Sequence, residues 1–249
     1  MSLENFKYII VNSFDASGNS DTDFNVTLNA GFPHRLDQIA LDTFVMTATY
    51  YNVTSSNNTF VFQEDVGGAV TATLTVGNYT IADMITSLKS AMEAVSPNVR
   101  TYTITTNAST NKLTITGSAG TFSVLTTGGL NLMLGFSRST ASGQNLANTG
   151  TRIYNLARYG FLTLKCTICK ADTYNTITGN KQDIIAYIPI AEASFGEIYT
   201  YRPNEYSWID VSPDRISRIE FLLTDDQNNV IDINGGYVSM KLALRYGYE

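Results

Sequence analysis

The chain has 249 residues, of which 43% are hydrophobic and only 15% charged, with a formal net charge of −6. That length and apolar content exclude global disorder and suffice for one large packed domain, or for one domain with a sizeable insertion. The charged fraction is well below the ~25% of an average soluble protein, and the basic residues are scattered, so a nucleic acid is not expected as the main partner: tracking a phosphate backbone needs a basic stripe.

In chain order, short alternating runs dominate. Residues 6–12 (FKYIIVN) and 24–28 (FNVTL) read as strands around a turn-rich loop at 15–21. Residues 39–53 (IALDTFVMTATYYNV) are long for one strand and are expected as one continuous strand or two joined by a bend. After the break at 55–59, residues 60–63 and 69–76 resume the strand pattern. Residues 80–95 are the one convincing helix: Ile81, Met84, Ile85, Leu88, Ala91, Met92 and Val95 form one apolar stripe, Thr80 suits the N-cap, and Asp83 stands where a capping box has its acid. A hairpin is expected from 101–106 and 112–116, a short strand at 122–125, and one helical turn at 130–134 stopped by Gly135. Residues 137–150, rich in Ser, Thr, Asn and Gly, read as a long exposed loop. Strands return at 161–169, 184–190, 207–211, 216–224 and 237–246, the last with Val238, Met240, Leu242 and Leu244 on one face.

The expected fold class is therefore all-β: a sandwich or barrel with an inserted small α/β subdomain carrying one helix. Composition shifts place the β-core at 1–68 and 150–249 and the insertion at 69–149. No stretch approaches the ~18 apolar residues of a membrane span, and residues 1–7 lack the build of a secretory signal. The sequons at Asn25, Asn52, Asn57, Asn78 and Asn107 are what an Asn- and Thr-rich chain yields by chance.

A search for chemistry returns little. His34 is the one histidine and cannot build a His-rich metal site alone. Cys166 and Cys169 have C-x-x-C spacing inside an apparent strand, where i and i+3 point to opposite faces, and no second pair completes a zinc site. Asp210 with Asp214, and Asp225 with Asp226, read as solvated turns. The run from Asp225 through Asn229 to Asp232 and Asn234 lacks the EF-hand ligand order and its closing Glu. There is neither a phosphate-binding glycine loop nor a nucleophile elbow. The tyrosine pairs Tyr50/Tyr51, Tyr199/Tyr201 and Tyr246/Tyr248, with Trp208, suit sheet faces or protein interfaces. No catalytic, cofactor-binding or metal-ligating residue is therefore assigned, no cofactor is expected, and the chain is expected not to be an enzyme.

Residues 8–13 (YIIVNS), 21–28 (DTDFNVTL) and 39–53 resemble the opening strands of the single jelly-roll minor capsid (penton) proteins of virophages, polinton-like viruses and related large double-stranded DNA viruses. Residues 74–80 with the following helix, 111–115 and 134–136 are similar to a module recurring in such virion proteins, and 216–223, 232–235 and 241–246 look like their last two strands. The resemblance implies an eight-stranded single jelly-roll sandwich, five copies around each capsid vertex, and a jelly-roll major capsid protein as partner in an icosahedral shell. The alternative of a different class is a virion attachment or fibre protein recognising a host receptor or glycan, with Trp208 and the tyrosine pairs as its aromatic platform. An enzyme on the same scaffold would be expected to carry several histidines on its strands.

Overall fold

The computed structural model describes residues 6–27, 36–136, 145–170, 173–174, 181–190, 194–212, 218–225 and 227–246. The chain forms two compact units, one from residues 1–50 and 159–249 and one from residues 51–158.

The first unit begins with β1 (Phe6–Asn12), a 3-10 turn (Ser13–Asp15), β2 (Ser17–Ser20), β3 (Asp23–Thr27) and β4 (Leu36–Thr47). The chain then builds the second unit from β5 (Thr59–Glu64), β6 (Ala69–Thr73), α1 (Ile81–Val95), β7 (Tyr102–Asn107), β8 (Lys112–Gly117), β9 (Phe122–Val124), α2 (Gly129–Met133) and β10 (Ala147–Thr149). It returns to the first unit with β11 (Phe161–Cys166), the short pair β12 (Thr173–Tyr174) and β13 (Lys181–Gln182), then β14 (Ile184–Pro189), β15 (Ile198–Tyr201), β16 (Ile209–Asp210), β17 (Arg218–Thr224) and β18 (Val238–Tyr246).

In the first unit, one sheet has the order β1-β18-β4-β15 and the other β14-β11-β17-β3-β2, all antiparallel. In chain order β1, β3, β4, β11, β14, β15, β17 and β18 switch between the two sheets at every step except from β11 to β14, and the first and last of them pair side by side in one sheet. This is the order of a single jelly roll. Side chains of period two fill the space between the sheets: Phe44, Met46, Met240 and Leu242 from one, Leu162, Leu164, Ile219 and Phe221 from the other, all buried in one cluster. The outermost strand β2 is polar and exposed along its length, which blunts that edge.

Residues 39–53 are neither one strand nor two joined by a bend. β4 ends at Thr47, and Tyr50 is the last residue before the chain enters the second unit. Tyr50 and Tyr159, the residues of exit and return, stack edge to face with ring centroids 5.1 Å apart.

The second unit has its own core. Met84, Leu88 and Met92 of α1 are fully buried among Phe60, Phe62, Tyr102, Leu113 and Phe122 from two three-stranded sheets, β6-β5-β9 and β10-β8-β7. Helix α1 starts where its cap predicts, the Thr80 hydroxyl accepting from the Asp83 amide at 3.2 Å. The shorter acid does not reach back to the Thr80 amide; its carboxylate accepts from the Thr80 hydroxyl at 2.6 Å instead. Val95, expected in the buried stripe, is substantially exposed at the helix end.

Two differences from the expected organisation have a pairing cause. β5 pairs with β6 and β9, so the second unit reaches back to Tyr51 rather than to residue 69, and forward to Arg158 rather than 149. Residues 147–149, expected as loop, form β10 against Thr114–Thr116 of β8. The rest of that expected loop, 137–144, lies outside the described residues. β10 lacks an apolar period because its buried residue is Asn148, whose amide donates to the Phe122 carbonyl at 2.8 Å.

Candidate functional site: the exposed faces of the jelly roll

The outer face of the β1-β18-β4-β15 sheet carries a connected side-chain network. It starts from a bulge. In the β4–β18 pairing Thr43 opposes Lys241 and Leu41 opposes Leu242, which leaves Asp42 as the extra residue. A bulge turns its side chain out of the regular alternation, and the Asp42 carboxylate accepts from the Tyr206 hydroxyl at 2.5 Å and lies 3.3 Å from the Lys241 ammonium. Partial desolvation pushes the Asp42 carboxyl up, but hydrogen bonds from Tyr206, Thr43 and Lys241 outweigh it and hold it below the ordinary carboxylate range. Lys241 sits 3.8 Å from the centre of the Tyr8 ring. Beside it, Tyr206 packs against Trp208 (5.4 Å), the Arg245 guanidinium lies 4.3 Å from the centre of the Trp208 ring, and Arg245 donates to the Gln38 side-chain carbonyl at 2.8 Å. One face of the Trp208 ring is thus taken by Arg245, and the Tyr206 hydroxyl by Asp42. Of the aromatic platform expected of a glycan reader, Trp208 is already engaged by the protein's own Arg245.

The two lateral sides of the sandwich differ. On one side, where β1 and β2 are the outer strands, Ile10 is 79% and Phe14 80% exposed. On the other, between β14 and β15, a cleft of about 360 Å³ is lined by Leu41, Ile184, Tyr187, Tyr201, Pro203 and Glu205, among others. Ile198 beside it on β15 is 62% exposed.

The residues singled out for chemistry are dispersed. His34, Asp214, Asp226 and Tyr248 lie outside the described residues. Asp225 spends its carboxylate on its own turn, accepting from the amides of Gln227 (2.9 Å) and Asn229 (2.8 Å) and from the Asn229 side chain (3.0 Å). Asp232 accepts from the Asn234 amide at 2.7 Å. Asp210 accepts from the Gln38 amide group at 3.0 Å. Among the described residues no group of three or more His, Cys, Asp and Glu could hold a metal ion, and no helix is long and apolar enough to cross a membrane.

Cys166 and Cys169 do not point to opposite faces. β11 ends at Cys166, and a turn closed by the Cys169 amide on the Cys166 carbonyl (3.2 Å) brings both thiols into the same buried core. The hydrogen bond with Cys166, followed by burial, pushes the Cys169 thiol far above its ordinary range, which removes thiolate character.

One polar cluster was missed. In the second unit Glu64 is fully buried and accepts from the Ser96 hydroxyl (2.6 Å), the Tyr102 hydroxyl (2.5 Å) and the Asn98 amide (3.2 Å), with the Arg100 guanidinium 3.9 Å away. Arg100 also donates to Asp65 and to the Thr121 carbonyl (2.8 Å). The signal was present: Phe60, Phe62 and Glu64 share one face of an alternating strand, which puts an acid on an apolar face. Such a fully satisfied network orders a core and needs no substrate.

The class this geometry defines is an all-β protein of single jelly-roll fold with a long insertion between β4 and β11. No protein-family model and no curated protein matches the chain. Among solved structures it is similar to the crystal structure of the selenomethionine-labelled mavirus penton protein, with a TM-score of 0.58, 8% sequence identity, and coverage of 98% of this chain and 100% of that one. The likeness takes in both units, so the jelly roll and its insertion belong to one shared fold.

Proposed function

We propose that the chain is a structural virion protein, the minor capsid protein that occupies the fivefold vertices of an icosahedral shell as a homopentamer and seals against a jelly-roll major capsid protein. The observation that carries this reading is the fold likeness to a penton protein over nearly the whole of both chains, insertion included. The physics supports it. A closed ring repeats one pair of unlike patches on every copy, and this chain offers unlike lateral sides on a rigid sandwich of low charge content. Asp42, Asp210, Asp225 and Asp232 are engaged by neighbouring side chains and turn amides, and the thiols lie in the core, which supports a non-catalytic reading. The attachment-protein alternative draws no support from the outer face, where the aromatic pair is engaged by Arg245 and Asp42.

The test is location. In virions carrying this chain with a C-terminal tag, electron microscopy with a tag-specific label is expected to mark the fivefold vertices and nothing else. Label spread over the capsid faces, or on projecting fibres, would contradict the reading.

A further inference from the structure

We infer that Cys166 and Cys169 form a modification site: in an oxidising compartment the pair closes to an intrachain disulfide that fastens the end of β11 to the facing sheet of the jelly roll. The inference stands apart from the vertex reading and uses a motif that reading leaves over.

Three observations carry it. The first is reach. The Cys169 amide donates to the Cys166 carbonyl at 3.2 Å, which closes a four-residue turn. Such a turn holds its end Cα atoms within about 7 Å, and a disulfide spans about 4.4–6.8 Å between Cα atoms. The second is direction. Both side chains enter the same core cluster, Cys166 1% and Cys169 3% exposed, and the two thiols are hydrogen-bonded to each other. The chain holds only these two cysteines, so neither has a competing intrachain partner. A metal would need further ligands, and among the described residues no group of three or more His, Cys, Asp and Glu supplies them.

The third is what the bond would join. Cys166 is the last residue of β11 and pairs with Phe221 of β17. The chain then turns away from that sheet. Cys169 bridges Val211, the Lys170 amide donates to the Asp210 carbonyl (2.9 Å), and the Ser212 amide donates to the Ile168 carbonyl (2.9 Å). Residues 209–211 are held along their other edge by β4 and its neighbour: Ile209 opposes Ile39, and the Val211 amide donates to the Asp37 carbonyl (2.8 Å). The turn is therefore a corner tying one sheet to the other. A disulfide there adds a covalent link to the main-chain hydrogen bonds.

The reaction balances with a low-molecular-weight disulfide, such as oxidised glutathione, as the oxidant. One cysteine, as thiolate, attacks a sulfur of the oxidant and releases one thiol. The second cysteine attacks the mixed disulfide and releases the other. Two electrons and two protons pass from the cysteine pair to the oxidant, which leaves as two thiols. The hydrogen bond with Cys166, together with burial, keeps the Cys169 thiol protonated while the corner is packed. Exchange therefore proceeds while the corner is open, during folding or local unfolding.

The test uses the full-length wild-type chain, so it needs no substitution in the core. Reduced and pre-oxidised samples are brought to the same equilibrium in one glutathione redox buffer, folded and in urea, then quenched with acid and alkylated. Trypsin cuts after Lys165 and Lys170, so residues 166–170 carry both sulfurs in one peptide. The expected product is that peptide with an internal disulfide and no glutathione. Its ratio to the reduced peptide is expected to be at least tenfold higher in the folded chain than in the unfolded one. A bond that the fold favours stabilises the fold by the same factor, so the oxidised chain is expected to melt about 3–6 °C above the reduced one. Free thiols at equilibrium in the folded chain, persistent glutathione adducts, disulfide-joined dimers, or a ratio no higher in the folded chain than in urea would each overturn the site.

Discussion

At Glu64 a fully buried carboxylate is surrounded by two hydroxyls, one amide and a guanidinium. Burial alone would raise its pKa; the hydrogen bonds from Ser96, Tyr102 and Asn98 outweigh burial and lower it. The unfolded chain therefore takes up this proton at higher pH than the folded one. The stabilisation is complete above the ordinary carboxylate value of 4.5 and is lost as pH falls through the depressed folded value. Glu64→Gln is expected to cost about 2–3 kcal/mol at pH 7, since charge-assisted hydrogen bonds are replaced by weaker neutral ones. Urea denaturation should show the gap between wild type and variant narrowing below pH 4; a gap independent of pH would mean that the carboxylate is not the stabilising species. Gly120 guards the same cluster. Its φ is +62°, and a Cβ there would lie 2.1 Å from the Arg100 guanidinium. Gly120→Ala is expected to cost about 1–3 kcal/mol, through left-handed strain and displacement of Arg100, read as a fall in the denaturation midpoint. Alternation alone put Glu64 on an apolar face of its strand, but its partners come from 32 to 38 positions further along the chain and no local pattern names them.

The place and extent of helix α1 were legible because its cap, its period and its exit at Pro97 agree with one another, although Val95 falls outside the buried stripe. The jelly-roll strands were legible as alternating runs whose sheet membership was not. Two features escaped. The bulge at Asp42 breaks the alternation of β4 and is defined only by its pairing with β18, and β10 is held by Asn148 rather than by an apolar stripe. Both depend on long-range partners, which is why local periodicity cannot show them. At this scale the sharpest test is Leu88→Ala. Leu88 is completely buried in the second unit's core, and truncation there is expected to cost about 2–5 kcal/mol. Hydrogen exchange should show amides of β5, β7 and β8 losing protection while those of β4 and β18 keep theirs. Equal loss in both sets would mean that the two units unfold as one.

For the whole molecule, the separate cores and the adjacency of Tyr50 to Tyr159 lead to a proposal about independence. Replacing residues 51–158 by a short Gly-rich linker is expected to leave a jelly roll that unfolds cooperatively, whereas removing only 69–149 strips β5 of β6 and β9 and should aggregate. The all-β class, as a sandwich or barrel, was legible from strand texture; the jelly roll came from the resemblance to penton proteins, which pointed to the fold that the similar solved structure shares. The boundary at 51 was not legible, since β5 reads as a strand of either unit until its partners are known. The vertex role is tested most directly by the native mass of the purified full-length chain at micromolar concentration and above. The expected result is a dominant species at five times the 27.3 kDa chain mass. A stable species at three times that mass would contradict the vertex assignment and favour a trimeric attachment protein.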